Sequence, residues 1–134
     1  MSTTTETAPK FRADRFRKLI AANEKLPKGR TFNMATYAMR TKCGTAACAA
    51  GNYVLAHPRC GLSLKWGPLR RGSQDAYLNG PPGTLGGFWS LADHFRIGVD
   101  ESIRLFGGAR ERRLSVLRRL RAFLAERTAK RSKR

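Results

Sequence analysis

The stretch Cys43-Gly-Thr-Ala-Ala-Cys48-Ala-Ala-Gly51-Asn-Tyr-Val-Leu-Ala56 decides the fold class. Alanine has the highest intrinsic helix propensity and Thr45 is a good N-cap, so the composition predicts a helix over 46–56. Ala46, Ala47, Ala49, Ala50 and Gly51 leave little bulk on any face, so other backbones can approach closely. This helix is expected to be central and buried. Pro58 biases His57 away from helical geometry and stops the helix near Ala56.

Working outward, Phe16, Leu19 and Ile20 form one apolar patch on a short basic helix from about Lys10 to Asn23, which Lys25-Leu-Pro-Lys-Gly29 ends. Phe32 to Met39 is a second apolar cluster, compatible with a short helix or an extended entry. Residues 62–66 and 75–78 alternate weakly around Gly67-Pro68 and Gly72-Ser73, the pattern of a hairpin. Residues 79–87 are turn chemistry throughout. Phe88, Leu91, Ala92 and Phe95 then recur at helical core spacing, with Gly98 as a left-handed cap and Asp100 capping a further short helix that ends at Gly107-Gly108. On the last segment Leu114, Val116, Leu117, Leu120, Phe123 and Leu124 cover about half a helical wheel. Arg112 and Arg119 flank one edge of that stripe, Arg118 and Arg121 the other.

The expected architecture is therefore mainly α: a small helical domain with room for one short β-hairpin and a long basic amphipathic helix at the C-terminal end, packed across the 46–56 helix. Residues 1–9 are expected to be a disordered tail, 10–126 a single helical domain and 127–134 a basic tail.

The chain of 134 residues carries a formal net charge of +18. That charge is gathered at the ends: net +8 over residues 10–42, +2 over 43–109 and +9 over 110–134. Most of the C-terminal cations are Arg, whose planar fork matches phosphate oxygens bidentately. A near-neutral middle with cationic ends points to a polyanionic partner. The first residues lack the apolar run of a secretory leader, no later segment has the apolar length of a membrane span, and the cysteines are odd in number. Together these predict a cytoplasmic protein with reduced thiols and no membrane partner.

Phe32-Asn-Met34, Tyr37, Cys43-Gly-Thr-x-x-Cys48-x-Ala-Gly51, Ile97-Gly98 and Leu105-Phe106 resemble the pattern of a group of small bacterial and phage proteins. The resemblance covers roughly residues 32–106. Where those proteins tend to have Trp after the Ala-Gly pair, this chain has Asn52-Tyr53. The resemblance implies a compact helical module of a mobile element and assigns no activity.

Cys43, Cys48, His57 and Cys60 supply ligand types suited to zinc, but their spacing matches no common zinc site, and compact buried helices use Cys as an apolar filler. Cys43 or Cys48 as a nucleophile, with His57 or His94 as base, has no motif that fixes the geometry. The Gly-rich loop at 83–87 lacks the Lys-Ser/Thr of a phosphate loop, and residues 88–106 are too short in their second helix for a groove-reading pair. The expectation is thus no enzyme, no metal and no cofactor. It is a protein that binds DNA or RNA electrostatically and largely without sequence preference. The contacts would be Arg12, Arg15 and Lys18 from one end and Arg112, Arg118, Arg119, Arg121, Arg127, Lys130, Arg131, Lys133 and Arg134 from the other. The alternatives are a phage-type inhibitor that covers an acidic protein surface or a host nucleoprotein complex, and a structural component of a nucleoprotein or virion assembly.

Overall fold

A computed structural model describes residues 10–82 and 85–132, without the side chains of Arg70 and residues 130–132. In chain order the elements are α1 (Ala13–Glu24), β1 (Arg30–Phe32), β2 (Ala38–Thr41), β3 (Gly44–Ala47), α2 (Ala49–Ala56), β4 (Ser63–Pro68), β5 (Gln74–Asn79), α3 (Phe88–Phe95), α4 (Val99–Phe106) and α5 (Arg113–Ser132), with a short 3-10 turn at Arg70–Gly72. The expectation of a mainly α domain is corrected: the five strands form one mixed sheet in the order β1-β3-β2-β5-β4, and the fold is α/β. β1 runs parallel to β3, and the other neighbours are antiparallel.

The Cys43–Ala56 stretch accounts for the correction. Its first half is a strand and only its second half a helix. Thr41 pairs with Gly44 across a two-residue turn, Lys42-Cys43, and Gly44, just past the turn, takes a positive φ of 127° with the Gly29 carbonyl in the space a side chain would fill. Thr45 is accordingly a strand residue, and the N-cap of α2 is Cys48, whose sulfur accepts from the Gly51 N–H at 3.4 Å. The 32–39 cluster resolves into β1, a turn and the start of β2. The strand pair around 62–66 and 75–78 exists as β4 and β5, but as one side of the larger sheet.

The small side chains do what close approach requires, on the sheet as well as on the helix. Ala38, Ala47 and Ala76 lie side by side on β2, β3 and β5 and form a buried seam against Leu55 of α2. A methyl group at Gly51 would fall on the Tyr37 carbonyl. Beyond this seam the main core gathers all five helices with Leu62 and Leu78; Phe16, Leu19, Tyr53, Leu91, Phe95, Leu105 and Leu120 are fully buried in it.

α5 packs chiefly on α1, and α1 in turn packs on α2, so the long helix does not cross the 46–56 segment as expected. Four rings join the layers: Phe11, Phe16, Phe95 and Phe123 have centroids 5.4–5.8 Å apart along the contact. A buried polar network ties α1, α2 and β1 together. Asn23 donates to the Leu19 and Ala49 carbonyls, Asn52 donates to Asn23 Oδ1 and the Ala47 carbonyl, and Arg30 donates to Asn52 Oδ1 at 3.1 Å. Both asparagines are fully buried, so each of these bonds replaces one lost to water.

At the α3–α4 junction the left-handed residue is Arg96, with φ 59°, and Gly98 is instead the N-cap of α4, its N–H donating to Glu101 Oε1 at 2.8 Å. α5 continues as helix to Ser132, past the point where its apolar stripe stops. The expected disordered tail 1–9 lies outside the described residues, as do Lys133 and Arg134. No helix among the described residues is long and apolar enough to cross a membrane.

Candidate nucleic-acid interface

α1 and α5 lie antiparallel. At one end Arg113 donates to the Asn23 and Glu24 carbonyls at 3.1 and 3.0 Å, capping the C-terminus of α1, and Arg121 pairs with Glu24 at 2.7 Å. At the other end the Arg127 guanidinium lies over the edge-to-face pair of Phe11 and Phe123, 5.2 and 5.0 Å from their centroids. Between these ends Arg17 and Arg121 line one shallow groove with Ile20 and Leu124 as its floor. The two basic arms are separated in sequence by residues 43–109, half of the chain, and the helix pair makes α1 of the first a neighbour of the second.

The arm cations divide into two kinds. Arg12 binds both oxygens of Asp14, at 3.0 and 2.9 Å, and holds that carboxyl far below the usual carboxylate range. Arg119 clasps Glu111 with both terminal nitrogens, lowering the Glu111 pKa. Arg121 holds Glu24, and Arg127 holds Glu101 at 3.4 Å while half-buried. These four are spent within the fold. Lys18, Arg112 and Arg118 are exposed, and among the described residues no acidic group is within ion-pair distance of them. Lys130 and Arg131 fall on the last turn of α5, where their side chains lie outside the described set.

Arg12, Arg15 and Lys18, spaced by three along α1, converge on a cavity of about 460 Å³ whose opposite wall is the segment after α2: His57, Pro58, Arg59 and Cys60. Its floor is Tyr53. The Tyr53 hydroxyl lies 2.6 Å from His94 Nε2, and Arg15 donates to the His94 carbonyl at 2.8 Å and faces Nδ1 at 3.4 Å. A guanidinium has only donors, so Nδ1 accepts and the ring proton sits on Nε2, aimed at the tyrosine oxygen. Burial, then the charges of Arg15 and Arg12, push the His94 pKa down to about 4, and the ring is neutral at pH 7. Burial raises the Tyr53 pKa, and the hydroxyl, within hydrogen-bond reach of the Cys60 thiol, stays protonated. The floor of a strongly cationic cavity is therefore uncharged.

Arg59 and Tyr53 are not among the site residues the sequence marks, and His94 enters there only as a candidate base for a cysteine nucleophile. Pro58 marks the end of α2 at Ala56 as expected, but that the segment after it faces α1 is set by tertiary packing, which no local pattern states. Cys43 is exposed at the hairpin turn, Cys48 is buried in the core and Cys60 is half-buried in the cavity wall, so the three thiols are dispersed. Burial pushes the Cys48 thiol up to about 11, the protonated form at neutral pH. No three His, Cys, Asp or Glu side chains come together as a metal site among the described residues.

Fold and surface together define a small α/β domain that presents a cationic helix pair and a cationic cavity. Compared with protein families, curated proteins and solved structures, the chain finds no match.

Proposed function

We propose that the protein binds DNA or RNA in the cytoplasm, electrostatically and largely without sequence preference, and acts by binding instead of catalysis. The observation that supports this reading is the antiparallel packing of α1 on α5, which sets Lys10, Arg12, Arg15, Arg17 and Lys18 of the first arm beside the C-terminal basic arm. Separate arms would be two weakly cationic tails. Joined, they make an extended surface on which several phosphates are neutralised at once, and counterion release makes such binding strong and salt-sensitive. Three unpaired thiols fit a reducing compartment, and the motif pattern of residues 32–106 suits a phage or mobile-element origin.

Fluorescence anisotropy with duplex and single-stranded DNA and RNA across a salt series tests this. The expected log–log slope on duplex DNA is about −0.9 per phosphate neutralised. Lys18→Gln and Arg118→Gln should each reduce it by about one such increment, because neither residue is engaged within the fold. Salt-independent binding, or no binding to any of the four nucleic acids, overturns the proposal.

A further inference from the structure

The cavity holds more positive charge than an internal phosphodiester uses. Asp14 is taken by Arg12, and Arg15, Lys18 and Arg59 face the same space with no ion pair among the described residues. A phosphodiester inside a strand carries one negative charge, whereas a phosphomonoester carries about 1.5–2 at pH 7 and has three strong acceptor oxygens. The volume of about 460 Å³ is that of a small-molecule site, larger than a bare ion needs. Its walls include the imidazole of His57 and the ring of Pro58, flat surfaces against which a sugar or base can lie.

The geometry points to a terminal nucleotide as the occupant of this cavity: a phosphomonoester held by Arg15, Lys18 and Arg59, with its nucleoside against His57 and Pro58. This rests on the proposed nucleic-acid binding for its context, since a strand end is one source of such a group and a free nucleoside monophosphate the other. Arg15 is pre-positioned for the task. One of its terminal nitrogens is fixed on the His94 carbonyl, which orients the remaining donors without neutralising the charge. The neutral Tyr53–His94 pair beneath adds no competing charge.

The test compares one short single-stranded oligonucleotide bearing a 5′-phosphate, a 3′-phosphate or hydroxyls at both ends, together with adenosine monophosphate as a free probe by calorimetry. A phosphorylated end is expected to bind about tenfold tighter than the hydroxyl form, a difference typical of two added charge-assisted contacts. Arg59→Gln and Lys18→Gln should each abolish most of that preference while leaving the circular-dichroism spectrum and melting temperature close to the wild type, since both side chains are exposed and have no ion pair among the described residues. Competition by adenosine monophosphate supports the assignment and identifies the free nucleotide as an occupant. Equal affinity for all three ends, with no binding of the monophosphate, overturns it and leaves general nucleic-acid binding standing. Binding of the monophosphate with no binding of any oligonucleotide keeps the cavity assignment and removes the nucleic-acid reading instead.

Discussion

Protonating His94 would set an Nδ1–H donor against the Arg15 guanidinium 3.4 Å away, in a site from which the ring is 95% shielded. The consequence for stability has a definite sign. In the unfolded chain the imidazole takes a proton near 6.5, and in the fold only near 4, with Arg15, Arg12 and Asp14 as the charged groups around it and burial as the main cause. Between those values the unfolded state binds more protons, so stability is fully present above pH 6.5 and is lost as pH falls toward 4. Urea midpoints measured from pH 7.5 to 4.5 should decline over that window, and His94→Gln, which keeps a neutral donor and acceptor, should flatten the decline. An unchanged slope in the variant would show that other groups carry it. Arg127 illustrates the other use of charge in this protein. Held over two adjoining rings and paired with Glu101, it anchors the end of α5. Arg127→Ala should therefore cost about 1–2 kcal/mol of stability, from lost cation–π contact and packing, whereas Arg118→Ala should stay within about 0.5 kcal/mol. Denaturant midpoints separate the two, and nucleic-acid affinity should respond in the opposite order.

The seating of α2 on the sheet turns on a single glycine. With the Tyr37 carbonyl occupying the space where a side chain at residue 51 would begin, Gly51→Ala forces α2 and the entry to β2 apart and should cost about 3 kcal/mol or more. Gly67→Ala, on β4 with open space around it, is the matched control and should be close to neutral. Thermal melts of the pair check the expectation. The same packing explains what could and could not be read from the sequence. α1 and α5 are legible because Phe16, Leu19 and Ile20, and Val116, Leu117, Leu120 and Phe123, are large residues at helical spacing on otherwise polar segments. β2 and β3 are not, because Ala38, Ala46 and Ala47 have a helix former's propensity and are in strands for their small size alone. Leu114 was placed in the apolar stripe, yet it is 62% exposed: α1 ends opposite Arg113, and nothing remains for it to pack against. Half of the cavity was legible in the same way. Arg12, Arg15 and Lys18 declare themselves by spacing on one helix, but Arg59 and His94 join them only through tertiary contacts far apart in the chain.

At the scale of the whole molecule two electrostatic effects oppose each other. A net charge of +18 on 134 residues makes the folded state repel itself. Against this stand the ion pairs of Arg12, Arg119, Arg121 and Arg127, which are partly or fully exposed and individually weak because solvent screens them. Added salt weakens both. It screens repulsion summed over the unpaired cations of the α1–α5 face, over a Debye length of about 10 Å at 0.1 M, and the local pairs lose less because their partners are in contact. The melting temperature should therefore rise with sodium chloride from about 20 to 300 mM, and rise further at equal ionic strength with phosphate, which also occupies the cavity. Arg112→Gln with Arg118→Gln, both outside the cavity, should shrink the chloride effect by relieving the repulsion directly. Arg59→Gln should leave the chloride response nearly intact and remove the extra gain from phosphate. Calorimetry on the three proteins in matched buffers distinguishes screening from site binding. A melting temperature that falls with salt would mean that the ion pairs outweigh the repulsion, and that the cationic face is tolerated by the fold without needing a counter-charge.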